Sequence, residues 1–315
     1  MTTSRRSFLK KLGAAGSLAT FTQFPLHASM FNQLEEELEV HVFSKHLQFL
    51  DYKEAAEIAA EIGFKGLDLT VRPKGHVLPE NVESDLPKAI REIKKAGLSC
   101  EMITTAISDV ANPMDMDVIK TAASEGVKYY RSNWFKFKEG ISLEDSLDFY
   151  KEKIQQLSEV NKKHKIIGCY QNHSGTSIGA SIWEVKHILE TAHPQFFGSQ
   201  YDIRHAVAEG GRSWSNGVKL LKDQIKTIVL KDFKWGKVKG KWQIVNVPIG
   251  EGMVDFTAYF KLLKSLGLKP PVCLHLEYPL GGADKGRYEI TIDHKLVFEA
   301  MKRDLAAVQK LWKEA

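Results

Sequence analysis

Eight short β-rich runs alternate with eight stretches of helical periodicity, and this alternation constrains the fold more than any other feature of the chain. The runs lie at 40–44, 66–71, 98–104, 127–132, 166–171, 197–203, 225–231 and 272–277. Apolar residues recur at three- and four-residue spacing near 52–62, 83–96, 115–125, 144–163, 181–191, 215–221, 255–266 and 291–313, the spacing that gives a helix one apolar face. Gly63, Gly97, Gly126 and Gly267 follow helical runs, where a left-handed residue closes a helix. Asp51 and Asp255 are placed to cap the helices that follow them, and Ser142-x-x-Asp145 and Ser181-x-x-Glu184 have the spacing of capping boxes. Strand and helix alternating eight times is the arithmetic of one α/β domain, a closed parallel (β/α)8 TIM barrel over residues 37–315. The rival is an open, doubly wound sheet. It asks for a glycine-rich loop after the first strand, and Ser44-Lys45-His46-Leu47 supplies none. The longest connection, 233–253, is charged and aromatic, as expected of a loop that covers a site.

Residues 1–28 stand outside this pattern. Ser4-Arg5-Arg6-Ser7-Phe8-Leu9-Lys10 has the form of a twin-arginine export signal, a weakly apolar stretch follows, and Leu26-His27-Ala28 offers a small residue for cleavage. The expectation is a signal peptide read by the twin-arginine export machinery and a mature protein that is periplasmic or otherwise exported. The apolar stretch is short for a bilayer, so no stable membrane span is expected in the mature protein. Arg5, Arg6, Lys10 and Lys11 also carry most of the formal net charge of +5, leaving +1 for the rest of the chain. That balance gives no support to a nucleic-acid partner. Cys100, Cys169 and Cys273 are odd in number and sit in apolar runs without close spacing, which argues for buried thiols over disulfides or a zinc knuckle.

In a closed barrel the chemistry sits where strands end. The fifth run ends Gln171-Asn172-His173-Ser174-Gly175, the sixth Asp202-Ile203-Arg204-His205, the seventh Leu230-Lys231-Asp232 and the eighth His275-Leu276-Glu277-Tyr278. Four consecutive strands thus bring an amide, carboxylates, imidazoles and a lysine to one rim. Oxygen and nitrogen donors of this kind suit Mg2+, Mn2+ or Co2+. Asp232 reads equally well as a mere helix cap or surface charge and as a member of this cluster. Glu101, inside the third run, is placed to enter the barrel interior. Phe43, Trp134, Tyr170, Trp235 and Tyr278 are rings near the rim, where the flat face of a ligand can stack.

These segments resemble the sugar phosphate isomerase/epimerase family, the xylose isomerase-like barrels. Gln171-Asn172-His173 is similar to its Glu-Asn-His segment and Asp202-x-x-His205 to its Asp-x-x-His. Lys231-Asp232 followed by Pro248-Ile249-Gly250-Glu251-Gly252-x-Val254-Asp255-Phe256 resembles its Lys-Asp and Pro-Leu-Gly-Glu-Gly-x-Val-Asp-Phe elements, and Glu277 stands where the family has a metal-binding glutamate. The resemblance implies a divalent ion held by residues from the last four strands. That ion polarises a sugar carbonyl while glutamates move the neighbouring carbon-bound proton. Two positions depart from the pattern: Gln171 stands for the first glutamate and Val229 for a histidine. Gln171 can offer an amide oxygen but cannot act as a base.

The implied metal ligands are therefore Gln171, Asp202 and Glu277, with His173 or His205 available to complete the set. The implied catalytic groups are Glu277 as base and His173, His205 or Lys231 as proton donor or oxyanion stabiliser. Arg204, Trp134 and Tyr278 are the expected substrate contacts. The activity implied is that of an exported carbohydrate isomerase or epimerase. One base and one acid also suit a lyase or hydratase acting on a keto-sugar or keto-glycoside. The two substitutions leave a non-catalytic sugar-binding barrel open. Abasic-site nucleases share the barrel, but the near-neutral charge of the rest of the chain speaks against them.

Overall fold

The computed structural model describes residues 37–315, so the leader-like residues 1–28 lie outside the described residues. Eight parallel strands close into a barrel: β1 (Val40–Phe43), β2 (Gly66–Val71), β3 (Ser99–Thr105), β4 (Tyr129–Arg131), β5 (Ile167–Gln171), β6 (Phe197–Asp202), β7 (Ile225–Leu230) and β10 (Val272–Leu274), with a hairpin, β8 (Asp232–Val238) and β9 (Lys241–Val247), inserted before the last. Each barrel strand pairs with its sequence neighbour, and β10 closes on β1 with Val40 opposite Val272. The helices are α1 (Tyr52–Ile62), α2 (Val82–Lys95), α3 (Pro113–Ser124), α4 (Leu143–His164), α5 (Ile182–Ile188), α6 (Ile203–Gly210), α7 (Trp214–Leu221), α8 (Phe256–Ser265) and α9 (His294–Glu314). The expected strands and helices fall where the alternation places them. The addition is α6, a short helix that starts directly from the end of β6.

Local chemistry sets the helix boundaries. Asp51 and Glu54 form a full capping box at α1, and Gly63 ends that helix at φ 105°, a conformation costly for residues with a Cβ. Ser142 caps α4 by accepting from the Asp145 N–H, and Asp255 caps α8 by accepting from the Ala258 N–H. The box expected at Ser181 does not form: Ser181 makes no capping bond, and Glu184 accepts from the Gly179 N–H instead.

Side chains alternate between two layers along each strand. Ile228, Leu230, Val272 and Leu274 point outward into the large apolar layer under the helices. Their neighbours Val229 and Cys273 form a separate cluster with Phe43 and Met102. The three cysteines are buried and free. Glu101 corrects an expectation: it lies partly exposed against Lys128, 2.7 Å away, outside the barrel interior.

The connection after β7 is ordered by two features. Lys239 and Gly240 have φ of 50° and 79° and join β8 to β9 as a two-residue turn, whose twist matches that of the flanking strands. At the hairpin base Asp232 is buried. Its carboxylate accepts from the backbone N–H groups of Phe233, Gly250, Gly252 and Val254. A Cβ at Gly252 would collide with that carboxylate. Asp232 is thus a clamp for the connection rather than a helix cap or surface charge. No helix among the described residues is long and apolar enough to cross a membrane.

Candidate active site

The inward-facing positions of the strands continue past their C-terminal ends at every second residue. Phe43 leads to Lys45, Asp68 to Arg72, Tyr129 to Arg131, Gln171 to His173, Val229 to Lys231, and Cys273 to His275 and Glu277. Lys45, Arg72, Arg131, Gln171, His173, Lys231, His275 and Glu277 line one cavity of about 360 Å³, with Arg204, His205 and Trp134. Ile244 and Asn246 of β9 also line it. Asn246 accepts from Arg204 at 2.7 Å and donates to the Glu277 carbonyl at 3.2 Å, so the hairpin is tied to the rim it overhangs.

Glu277 is gripped from the first strand. The Lys45 ammonium donates to both carboxylate oxygens, at 2.9 and 3.0 Å, and His275 Nδ1 stands 3.4 Å from Oε1. Burial alone would push the Glu277 carboxyl up. The His275 contact and the charges of Lys231 and Lys45 outweigh it and hold the carboxyl well below the ordinary carboxylate range. His275 is stacked on Phe43, with centroids 4.2 Å apart, and burial keeps it neutral. Behind it His46 donates from Nδ1 to the Ala283 carbonyl and accepts at Nε2 from the Leu276 N–H. Those two bonds fix one neutral tautomer and the position of the residue next to Glu277. Burial, with the Lys45 charge added, takes His46 down to about 3.

The other wall is built on Asp202, which has no solvent exposure. Its Oδ2 accepts from Gln171 Nε2 at 2.8 Å and lies 3.1 Å from Lys231 Nζ. Gln171 Oε1 accepts from Arg131 at 3.3 Å. Its neighbour Asn172 pins the chain by bonding the Asp202 backbone through both ends of its amide. His205 Nδ1 receives the N–H groups of Ser174, at 3.1 Å, and Arg204, at 2.9 Å, so the ring proton is on Nε2. That Nε2–H stands 3.6 Å from Asp202 Oδ2 and has no hydrogen-bond partner among the described residues, and burial reinforced by the charge of Lys231 keeps the ring neutral. His173 has the opposite arrangement. Its Nδ1 donates to the Ser174 carbonyl at 2.8 Å, leaving Nε2 as an acceptor, and burial with the Lys231 charge lowers its pKa. The two rings pack 4.1 Å apart, with Trp134 against His173 at 4.5 Å.

The divalent ion implied by the resemblance does not fit Gln171, Asp202 and Glu277 as they stand. Gln171 turns N–H toward Asp202 and its oxygen toward a guanidinium, and the carboxylates of Asp202 and Glu277 face ammonium groups. Val229, at the expected histidine position, is fully buried and apolar. A different trio can be brought to bear on a metal: ligand atoms of Asp68, Cys273 and His275 lie within 4.8 Å of one another.

The structure therefore gathers Glu277, His173, His205, Lys231, Gln171, Arg204 and Trp134 around one cavity, with Asp202 directly behind it. Tyr278 is a correction. Its hydroxyl donates to Asp304 on α9 and accepts from Arg303, so it points away from the cavity. Tyr170 and Trp235 also lie outside the lining. Tyr170 is spent on the Phe135 N–H and the Ile178 carbonyl, and Trp235 is exposed on the hairpin. Sequence reasoning missed Lys45, Arg72, Arg131, His46 and Asn246. The signal for the first three was the same strand-end rule, applied to the first four strands as well as the last four.

A family model described as xylose isomerase-like TIM barrel matches residues 56–294. No curated protein matches the sequence. Among solved structures, a D-psicose 3-epimerase from Clostridium cellulolyticum H10, solved with D-tagatose, superimposes with a TM-score of 0.66 at 12% identity, covering 87% of this chain and 99% of that one. The 3-keto-D-glucoside 4-epimerase of E. coli gives 0.63 at 13% identity, covering 87% and 100%. A probable 3-DHS dehydratase from Bacillus anthracis gives 0.60 at 14% identity, covering 87% and 98%. At these identities the likeness is one of fold.

Proposed function

The chain belongs to the xylose isomerase-like TIM barrel family, and from that premise we propose that it is a carbohydrate isomerase or epimerase that moves a proton on the carbon beside a sugar carbonyl. The observation that carries this reading is the Glu277 carboxylate, held by the Lys45 ammonium at 2.9 and 3.0 Å in a cavity that His173, His205 and Lys231 also line. A cavity of about 360 Å³ has room for a monosaccharide unit.

In this reading Glu277 takes the carbon-bound proton. The charge that develops on the carbonyl oxygen is met by Lys231 Nζ and the His205 Nε2–H. Both are held in place before the reaction, so little reorganisation opposes them. Returning the proton from Glu277 to the adjacent carbon completes an isomerisation. Delivering to the opposite face a proton that His173 Nε2 has first taken from solvent completes an epimerisation, with Glu277 giving its own proton up to solvent. Lys45 keeps Glu277 ionised and oriented. No step is assigned to a metal ion. Residues 1–28 support an exported setting for this chemistry.

A second reading is favoured by Gln171. With no second carboxylate on that wall, Glu277 and a single donor serve β-elimination from a keto-sugar or keto-glycoside, or the reverse hydration. One experiment addresses both readings. Incubating the protein with keto-sugars and 3-keto-glycosides in deuterium oxide should place deuterium beside the carbonyl, and product analysis separates a rearranged sugar from an eliminated one. Glu277→Gln should lower the exchange rate by about 10²–10⁴-fold. Undiminished exchange in that variant, or sugar binding without any exchange, would sink the enzyme reading; the latter outcome would leave a binding barrel.

A further inference from the structure

Five cationic side chains line the cavity: Lys45, Arg72, Arg131, Arg204 and Lys231. Lys45 is paired with Glu277 and Lys231 with Asp202. Among the described residues the three arginines have no carboxylate at ion-pairing distance. Arg204 is at least held by Ser174 and Asn246. Arg131 is 4% exposed, makes two bonds of 3.3 Å to neutral oxygens, and has a buried Nε–H with no partner. Among the described residues the Arg72 guanidinium has no hydrogen-bond partner. Each of the two rests on an aromatic ring, Arg131 on Trp134 at 4.1 Å and Arg72 on Phe43 at 5.5 Å.

Two guanidiniums lining one cavity, with Asp68 and Glu277 acting on them only from beyond ion-pairing distance, oppose folding unless something is gained. Burial first, and the nearby Arg72 charge second, take Arg131 down to about 9 against the partial relief that Asp68 gives. Asp68 is buried; its Oδ1 accepts from Thr104 and its Oδ2 has no hydrogen-bond partner among the described residues. The rings lie against the guanidiniums and satisfy none of their N–H groups. Arg131 spends one N–H each on Gln171 and Thr105, while the Arg72 guanidinium keeps its N–H groups for an oxyanion, which such a group grips by two parallel bonds.

We infer that the substrate is an anionic carbohydrate whose carboxylate, sulfate or phosphate sits between Arg72 and Arg131, placing its sugar ring against Glu277. This rests on the proposed proton-transfer function for the orientation of the ring, but the anion site is read from the arginines alone.

The test is titration calorimetry of the folded protein with D-glucuronate, its methyl ester, D-glucose 6-sulfate, D-glucose 6-phosphate and D-glucose. At least one anion should bind about tenfold or more tightly than the neutral sugars, and which one wins identifies the group. Arg72→Gln should remove that preference, and Arg72→Lys should keep part of it. Because Arg72 is only half-buried and unpaired, both variants should retain the wild-type melting temperature or exceed it. Equal binding of charged and neutral sugars, no binding of any anion, or an anion preference that survives in Arg72→Gln would overturn the inference. Binding is read without turnover. An anion preference without deuterium exchange would therefore fail the chemistry and leave this site standing, and exchange on neutral keto-sugars with no anion preference would do the reverse.

Discussion

The two halves of the barrel mouth are built on opposite electrostatic plans. From β5 to β10 the polar groups of the rim largely answer one another, Arg204 being held by the neutral Ser174 and Asn246. Asp202 answers Lys231 and Gln171, His205 is locked by Ser174 and Arg204, and Glu277 has His275 beside it. From β1 to β4 the rim offers Lys45, Arg72 and Arg131 and no exposed acid of its own. Lys45 crosses to Glu277 and is satisfied; Arg72 and Arg131 are not. A compensated wall holds catalytic groups in fixed protonation states, which is what proton transfer requires. An uncompensated wall is poised for a charge that arrives from outside.

The contrast between a satisfied and an unsatisfied cation is open to a direct break. Lys45→Met strands Glu277 in a site where its side chain is 24% exposed. Removing one partner of a largely buried pair costs about 3–5 kcal/mol, visible as a lower denaturation midpoint. Without Lys45 the folded-state pKa of Glu277 rises toward the ordinary carboxylate value. The acid limb of the rate profile should therefore move to higher pH. Arg72→Gln, by comparison, removes a charge that nothing answers and should cost nothing in stability. Equal destabilisation by the two variants would erase the distinction between the halves.

The compensated half also sets an acid sensitivity. His46 is neutral in the fold, with its pKa at about 3 against about 6.5 for an ordinary imidazole. Between those values the unfolded chain binds a proton that the folded one refuses. Stability is therefore lost as pH falls below about 6.5, on the order of 2 kcal/mol between pH 7 and pH 5 from this ring. His46→Gln should flatten the pH dependence of the unfolding free energy by about that amount, whatever its constant cost. An unchanged slope would mean that the other buried histidines carry the acid response.

Legibility in the sequence follows the same divide. The barrel was readable because buried strands and amphipathic helices impose periods that the residues must obey, and β1 to β7 fall within a residue or two of the expected runs. The last run was read to Glu277, whereas β10 ends at Leu274, since the inward alternation continues beyond the hydrogen-bonded ladder. The compensated wall was readable through local motifs such as Asp202-x-x-His205. Lys45, Arg72 and Arg131 belong to no motif. A lone basic residue after a strand looks like any surface charge until closure of the barrel brings three of them to one cavity. Asp232 was ambiguous for a related reason, because its four N–H partners come from a loop whose return path only the tertiary fold fixes.

Tyr278 supplies the smallest effect and the finest test of where the site stops. It directly follows Glu277, and sequence position alone makes it a substrate contact. The alternation argues otherwise, since the residue after an inward one points outward, and its hydroxyl reaches Asp304 and Arg303 at 2.9 Å each. Tyr278→Phe leaves the buried Asp304 with one bond fewer, and should lower stability by about 1 kcal/mol with KM and kcat unchanged. A raised KM at unchanged stability would bring Tyr278 back to the sugar and would mean that the cavity extends past Glu277 toward α9. The anion would then have a second wall to lean on, and the division between a compensated and an uncompensated half would have to be drawn one residue further along the chain.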